Sequence, residues 1–162
     1  MSNKAEQAIE IAEKITDLYE TNRLITYEPY EYQKRFHDAK DMGGRLARQR
    51  LLMAANKTGK TFCGATELAL HLTGRYPQWW TGAKFTRPIT AWAAGNTTAN
   101  TRDIVQAELL GEPGDESEFG KGAIPKELIV GTPLRQPGVP NAYQSLSVKH
   151  VSGRNSKLIF KS

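Results

Sequence analysis

Long apolar runs, paired cysteines and clustered histidines are all missing from this chain of 162 residues. No apolar stretch approaches the roughly 18 residues that cross a bilayer, and the acidic start "MSNKAEQAIEIAEK" lacks the continuous apolar core of a secretory signal. Cys63 is the single cysteine, which excludes an intramolecular disulfide and favours a reducing compartment. His37, His71 and His150 are too scattered for a metal site, so we expect them to be structural.

Acidic residues are absent from the last part of the chain. The formal net charge is +5, and the last acidic residue is Glu127. The basic residues that follow it are Arg135, Lys149, Arg154, Lys157 and Lys161. They form either a solvated basic face or a surface for a polyanion, and the composition leaves both open. A hydrophobic content of 39% with 24% charged residues indicates a globular protein, and the length suggests one domain.

Apolar periodicity predicts an alternation of helices and strands. We expect a helix over about 4–21, a second one in "YEYQKRFHDAKD", a buried strand at 50–55 and an amphipathic helix at 61–73 that Gly74 ends. A strand in "RPITAWAAG" and a helix in "TTANTRDIVQAELLG" follow. This order predicts an α/β fold with a mainly parallel sheet flanked by helices.

The regular alternation of predicted helices and strands ends after residue 111. "GEPGDESEFGKG" is typical of an acidic, glycine-rich loop, "IPKELIV" suggests a short helix, and "GTPLRQPGVPN" looks irregular because of its prolines. The last residues contain two strand-like runs around "SGRNS", which predict a β-hairpin.

The stretch "LLMAANKTGKT" has the pattern of a phosphate-binding loop between a strand and a helix. In such a loop, backbone N–H groups surround the phosphates, a lysine reaches them and a hydroxyl ligates Mg²⁺. Lys60 and Thr61 are the residues for the last two roles, and Gly59 allows close approach of the backbone. Ala54 replaces the usual first glycine, which is tolerable only if its φ is negative.

A glutamine lies upstream of the loop in "EPYEYQKRFHD". The side chain of Gln33 carries a donor and an acceptor, so it can pair with the edge of an adenine. The alternative is a surface glutamine between two core aromatic residues.

The segments "PYEYQKRF", "LLMAANKTGKT" and "ELALHLTGRYP", in this order and spacing, resemble the N-terminal ATPase part of the large terminase subunit of tailed bacteriophages. The similarity is closest to short-tailed phages that package by the headful, and it covers most of the chain from about Tyr27. It implies an N-terminal helical segment at 1–26 and a partial P-loop ATPase domain at 27–162.

The resemblance also implies a function and a set of site residues. The family's motor hydrolyses ATP with Mg²⁺ to move double-stranded viral DNA into a procapsid. By this similarity Lys60 is the catalytic lysine, Thr61 the Mg²⁺ ligand and Gln33 the adenine contact. The loop backbone that would hold the phosphates is formed by Ala55, Asn56, Lys57, Thr58 and Gly59. Implied partners are the portal, the small terminase subunit and further copies in a ring, in the cytoplasm of a bacterial host and without a membrane.

Two departures from the family pattern matter. Asn56 stands where some relatives have a loop arginine; Lys57, Arg48 and Arg50 are alternatives, although the two arginines are better explained as solvated charges. No carboxylate follows an apolar strand as the family's acidic motif does. We therefore expect the chain to end before its acidic (Walker B) strand and without the nuclease domain, so that the isolated chain is inactive or weak.

Two other functions stay open at this point. A small P-loop kinase would need substrate-binding and lid arginines after the loop, whereas a non-hydrolysing nucleotide-binding or assembly module would need no acidic motif. The segment "GRYPQWWTGAKFTRP" mixes aromatic and basic residues, which suits single-stranded nucleic acid. More often such a segment covers the end of a sheet.

Overall fold

A computed structural model describes residues 2–162 and their side chains from Lys4 onward. The helices are α1 (Ser2–Thr21), α2 (Arg23–Thr26), α3 (Glu31–His37), α4 (Lys60–Thr73), α5 (Thr98–Asn100) and α6 (Ala107–Leu110), with the π-helical segment Thr101–Gln106 joining the last two. The strands are β1 (Thr90–Ala94), β2 (Ile129–Arg135), β3 (Tyr143–Lys149) and β4 (Asn155–Lys161). Within this part of the chain, no helix is long and apolar enough to cross a membrane.

The strands of the described residues form one four-stranded sheet in the order β1-β4-β3-β2. The α/β class with flanking helices is confirmed, but the prediction of a mainly parallel sheet is wrong. Only β1 and β4 run parallel, whereas β4–β3 and β3–β2 are antiparallel. The reason is the length of the connections, because short links between consecutive strands allow only antiparallel pairing. The predicted hairpin is the β3–β4 pair.

Strand β2 contradicts the expectation of a short helix followed by irregular chain. The helix is a single 3₁₀ turn, Lys126–Leu128, and the strand begins directly after it. β2 lies at the edge of the sheet, and its register against β3 shifts between Val130 and Leu134. Pro133 falls within this shift, where an edge strand tolerates a residue without an N–H group.

The predicted buried strand at 50–55 is also wrong. This segment has no regular secondary structure and no strand partner among residues 2–162, and Leu51 and Met53 are 80% and 81% exposed. Apolar composition makes a strand only when a neighbouring strand takes its backbone hydrogen bonds. Here the described chain offers no such neighbour.

The core lies between one face of the sheet and the helices α4 and α6. The buried residues on the sheet side include Ala93, Leu146, Val148, Leu158 and Phe160, and those on the helix side include Ala65, Ala69, Leu72, Leu109 and Leu110. Helix α4 follows its prediction and ends at Gly74, whose φ of 72° is left-handed and whose N–H donates to Leu70 O. This packing fixes the direction of α4 and therefore the place of the loop at its N-terminus.

Helix α1 matches its predicted position but packs differently from a core helix. The described side chains of α1 up to Glu20 are exposed, including Ile9 at 60% and Ile15 at 48%. The chain rejoins the body at Asn22, which is 2% exposed and donates from Nδ2 to Glu127 Oε1 at 3.3 Å. The predicted division between 1–26 and 27–162 stays a prediction.

Candidate functional site

The loop before α4 has two left-handed residues at alternate positions, an alternation typical of an anion-binding nest. Lys57 and Gly59 have positive φ angles of 60° and 79°, whereas Ala54 does not have a positive φ. Left-handed residues separated by one position turn successive N–H groups toward one concave side. Ala54 therefore satisfies the condition under which it can replace glycine. Position 59 requires glycine for two reasons. Its backbone is left-handed, which strains any residue with a side chain, and an added Cβ would lie only 3.2 Å from Gln33 Nε2.

Lys60 and Thr61 form the first turn of α4. The ammonium group of Lys60 donates to Ala54 O at 2.8 Å and to Ala55 O at 2.5 Å, so it lies against its own loop. The Thr61 side chain is exposed, and its hydroxyl has no hydrogen-bond partner within the described residues. A cation and a free hydroxyl thus stand at the N-terminal end of a helix, which favours negative charge.

Helix α3 holds the loop from the other side. The Tyr32 hydroxyl donates to Thr58 O, and Gln33 Nε2 donates to Gly59 O at 3.2 Å. Gln33 is 2% exposed, and its Oε1 accepts the Tyr30 N–H at 2.9 Å. A carboxamide has two hydrogens and two lone pairs, so one donor and one acceptor of Gln33 remain. The side chain therefore braces the loop, and its contact with an adenine edge stays a prediction.

A cleft of about 870 Å³ opens beside the loop. On one side it is bounded by Lys57, Thr58, Gly59 and Phe62, which belong to the loop and the first turn of α4. Its other walls are formed by Tyr19, Arg23, Thr26, Tyr27, Glu28, Tyr30, Tyr32 and Gln33. A binding site typically has this concave form with aromatic walls and a few polar groups.

A second, smaller cavity of about 270 Å³ lies at the first turn of α4. Its lining includes Lys60, Thr61, Ala93, Ala94 and Glu108. Glu108 was not singled out from the sequence, because it belongs to a helix that is remote in the chain. Only the packing of α6 against α4 brings this carboxylate to the cavity of the two loop residues.

A buried ionic network lies farther along α4, around Glu67. Arg50 binds both carboxylate oxygens, with Nη1 at 3.2 Å from Oε2 and Nη2 bonded to Oε1. His37 Nδ1 lies 2.8 Å from Oε2, and His71 Nε2 lies 3.2 Å from Oε1. Arg50 also donates to Phe36 O and His37 O. The interpretation of Arg50 as a solvated charge is therefore wrong, because its guanidinium donates hydrogen bonds to the buried Glu67 carboxylate and to two backbone carbonyls.

The pKa values in this network follow from burial and from hydrogen bonds. Burial alone would raise the pKa of Glu67, but hydrogen bonds from His37, His71 and Arg50 outweigh it and lower the pKa to about 2. Burial raises the pKa of the Cys63 thiol to about 11, although a hydrogen bond with Tyr27 opposes this. Cys63 is fully buried, so the thiol is inert and belongs to the core.

The aromatic segment after α4 covers this network. Trp80 is 2% exposed and packs on His37 with ring centroids 4.9 Å apart. Tyr76 accepts the Phe85 N–H at 2.8 Å, and its hydroxyl lies 3.0 Å from His71 Nδ1. The segment therefore packs, but over the side chains of α3 and α4 rather than over the end of the sheet as expected. His37 and His71 are bonded inside this network, in agreement with a structural role.

The predicted site residues divide into two groups. The structure brings Gln33 and the loop residues 57–59 to one cleft, whereas Lys60 and Thr61 line the smaller cavity instead. Ala55 supplies carbonyl oxygens to Lys60 and Thr58, and Asn56 lies exposed at the loop turn. No group of acidic, histidine or cysteine side chains suited to a metal occurs among the described residues. The roles of these residues toward ATP and Mg²⁺ stay predictions.

Comparison with known proteins places this chain in a known protein family. Residues 51–162 match the family model described as terminase large subunit, T4likevirus-type, N-terminal. The chain is also 35% identical over 156 residues to the large terminase subunit of Salmonella phage P22, which covers 89% of this chain. It spans about 30% of the length of that relative. A comparison with solved structures gives no match.

Proposed function

Since this chain belongs to the family of terminase large subunits, we propose that it is the ATP-binding N-terminal part of the motor that moves viral DNA into a procapsid. The proposal includes a P-loop NTPase fold for the complete domain and an ATPase activity for the full-length protein. The family match favours this function over the small-kinase alternative that the loop by itself allowed.

The observation that carries the proposal is the coincidence of three features at one place. The nest-shaped loop, the N-terminus of α4 and the cleft of about 870 Å³ adjoin one another. A nucleoside triphosphate needs an anion site next to a concave site for its base, and this arrangement supplies both. The donor groups present therefore fit ATP.

Each loop residue has a defined task in this proposal. The N–H groups of residues 55–59 bind the phosphates, and Lys60 exchanges its two carbonyl acceptors for phosphate oxygens. Thr61 offers its free hydroxyl to Mg²⁺, and Gln33 offers its remaining donor and acceptor to the adenine. Bound Mg²⁺ would neutralise the charge that develops on the phosphates. Tyr32 and Gln33 keep the loop carbonyls turned away from the phosphates.

The partners of the complete protein are part of the same proposal. We propose that it acts on double-stranded viral DNA, with the portal and the small terminase subunit, in the cytoplasm of a bacterial host. A ring of several copies would place one nucleotide site beside each neighbouring chain. The basic side chains on β2, β3, β4 and the hairpin turn are exposed and offer a surface for the DNA backbone.

Calorimetric titration with ATP in the presence of Mg²⁺ tests the site. We expect Lys60→Ala to weaken binding at least about 100-fold, or ~2.7 kcal/mol, because it removes a charged phosphate contact. Lys149→Ala is the matched control, since this exposed lysine lies on β3 away from the loop. Equal ATP affinity of the wild type and Lys60→Ala would refute the assignment.

A further inference from the structure

The walls of the cleft that face the loop come largely from the N-terminal part of the chain. Tyr19 on α1, Arg23 and Thr26 on α2, and the residues Tyr27 and Glu28 line them. All of them precede residue 51, where the match to the family model begins. The loop side of the cleft is thus common to the family segment, whereas the opposite side belongs to a part of the chain that the family model does not match.

Arg23 has an unusual position within this wall. Its guanidinium carbon lies 5.9 Å from the centroid of the Phe62 ring, and Phe62 is in the first turn of α4, two residues after Lys60. Among the described residues, no carboxylate pairs with Arg23, and no hydrogen bond from its side chain is present. The donors of an exposed guanidinium beside a cleft therefore stay available.

The backbone of Arg23 is fixed although its side chain is free. Asn22 directly before it is buried and bonded to Glu127, and the Arg23 carbonyl accepts the Thr26 hydroxyl at 3.3 Å. Phe62 is held in turn by an edge contact to Tyr27, with ring centroids 5.5 Å apart. Arg23 thus borders the cleft from an anchored position and rests on an anchored ring. It also borders a second cavity, whose lining includes Asp103, Glu108 and Glu118, but it forms no ion pair there within the described residues.

The side chains around Arg23 suit the base of a nucleotide better than its phosphates. The phosphate donors of the proposed site belong to residues 55–60, whereas the wall near Arg23 carries the rings of Tyr19, Tyr27 and Phe62. A guanidinium plane stacks on aromatic rings and on nucleobases, which a lysine ammonium cannot do in the same way. Glu28 adds an acceptor for sugar hydroxyls on the same side.

We propose that residues 19–28 form the nucleoside side of the cleft and that Arg23, resting on Phe62, stacks on the base of the bound nucleotide, in addition to the edge contact proposed for Gln33. This inference rests on the proposed function, because it requires the triphosphate to lie on the loop. It adds a specificity-determining residue that lies outside the loop and outside the matched family segment.

Titrations of the whole chain with two probes, ATP and inorganic tripolyphosphate, test this role. We expect Arg23→Ala to weaken ATP binding about tenfold and to leave tripolyphosphate binding unchanged, because only ATP has a base. Arg23→Lys should resemble Arg23→Ala, since it keeps the charge but loses the plane. Arg154→Ala, at an exposed arginine in the β3–β4 turn, is the matched control, and thermal unfolding checks that each variant is folded.

Three outcomes would overturn the inference. Equal weakening of both probes would make Arg23 a phosphate ligand, and wild-type affinity of Arg23→Lys would show that charge alone suffices. Unchanged ATP binding by Arg23→Ala, with tripolyphosphate binding that still depends on Lys60, would refute the role of Arg23 and leave the proposed function intact. If the wild type binds neither probe, the proposed function fails and this inference fails with it.

Discussion

The first turn of α4 and its middle turn, about 10 Å apart along one helix, treat their polar groups in opposite ways. In the first turn, Lys60 bonds only to its own loop and the hydroxyl of Thr61 is free within the described chain. In the middle turn, Glu67 is buried and satisfied by Arg50, His37 and His71. A free hydroxyl, and a cation bonded only to carbonyls of its own loop, can turn to a ligand, whereas the buried and fully bonded groups hold the fold together.

This contrast assigns stability and binding to different positions on one helix. Removing a partner from a buried ionic network leaves an uncompensated charge. Removing an exposed cation costs the fold little but deprives a ligand of its contact. Substitutions in the first turn should therefore change ligand affinity, whereas substitutions in the middle turn should change the free energy of unfolding.

Glu67→Gln should give the largest change and would appear in stability. We expect the free energy of unfolding to fall by about 4 kcal/mol, because Arg50 loses its charged acceptor inside the protein. Urea denaturation measures this, and Glu13→Gln on the exposed surface of α1 is the control, with less than about 0.5 kcal/mol expected. If both variants lost a similar amount of unfolding free energy, the network around Glu67 would have no special role in stability.

The acid dependence of stability should identify the same carboxylate. The pKa of Glu67 is lowered from its ordinary 4.5 to about 2, so its ionised form stabilises the folded state above pH 4.5. This contribution, about 3 kcal/mol, should disappear as the pH falls from 4.5 toward 2. Comparing urea midpoints of the wild type and Glu67→Gln across this window isolates it. Parallel curves for the two proteins would contradict the network as described.

Tyr32→Phe should have the smallest effect and would appear in binding. The change removes the hydroxyl that donates to Thr58 O, so the loop loses one support while the ring stays in place. We expect ATP affinity to fall about fivefold, or ~1 kcal/mol, by titration. Lys149→Ala is the control, because this exposed residue lies on β3 away from the loop. Equal affinities of the two variants would mean that α3 does not position the loop.

Local patterns predicted much of the molecule correctly. Helix α4 and its glycine end, the strand β1, the helix α3 and the β3–β4 hairpin all lie where periodicity and turn residues indicated. Each depends on neighbours within a few residues, as a left-handed Gly74 or an alternating strand does. The resemblance to terminase large subunits, read from three short segments, was confirmed by the family match.

The errors concern partners that are distant in the chain. The apolar run 50–55 looked like a strand because apolar residues occur in both buried strands and other segments, and only a neighbour distinguishes them. Arg50 looked like a solvated charge because its acceptor lies 17 residues away on α4. The direction of β2, β3 and β4 depended on pairing, which a count of strands does not reveal.

The sequence by itself determined the helix α4 and the family, and it predicted a phosphate-binding role for the loop "AANKTGKT", because such a loop needs particular residues at fixed spacing. Only the tertiary structure decided that Tyr32 and Gln33 brace this loop, that Glu67 binds three basic side chains, and that Arg23 and Phe62 meet at the cleft. The physical reason is that such contacts join separate elements. Their geometry is set by how α4 packs on the sheet, a property of the whole core rather than of any short segment.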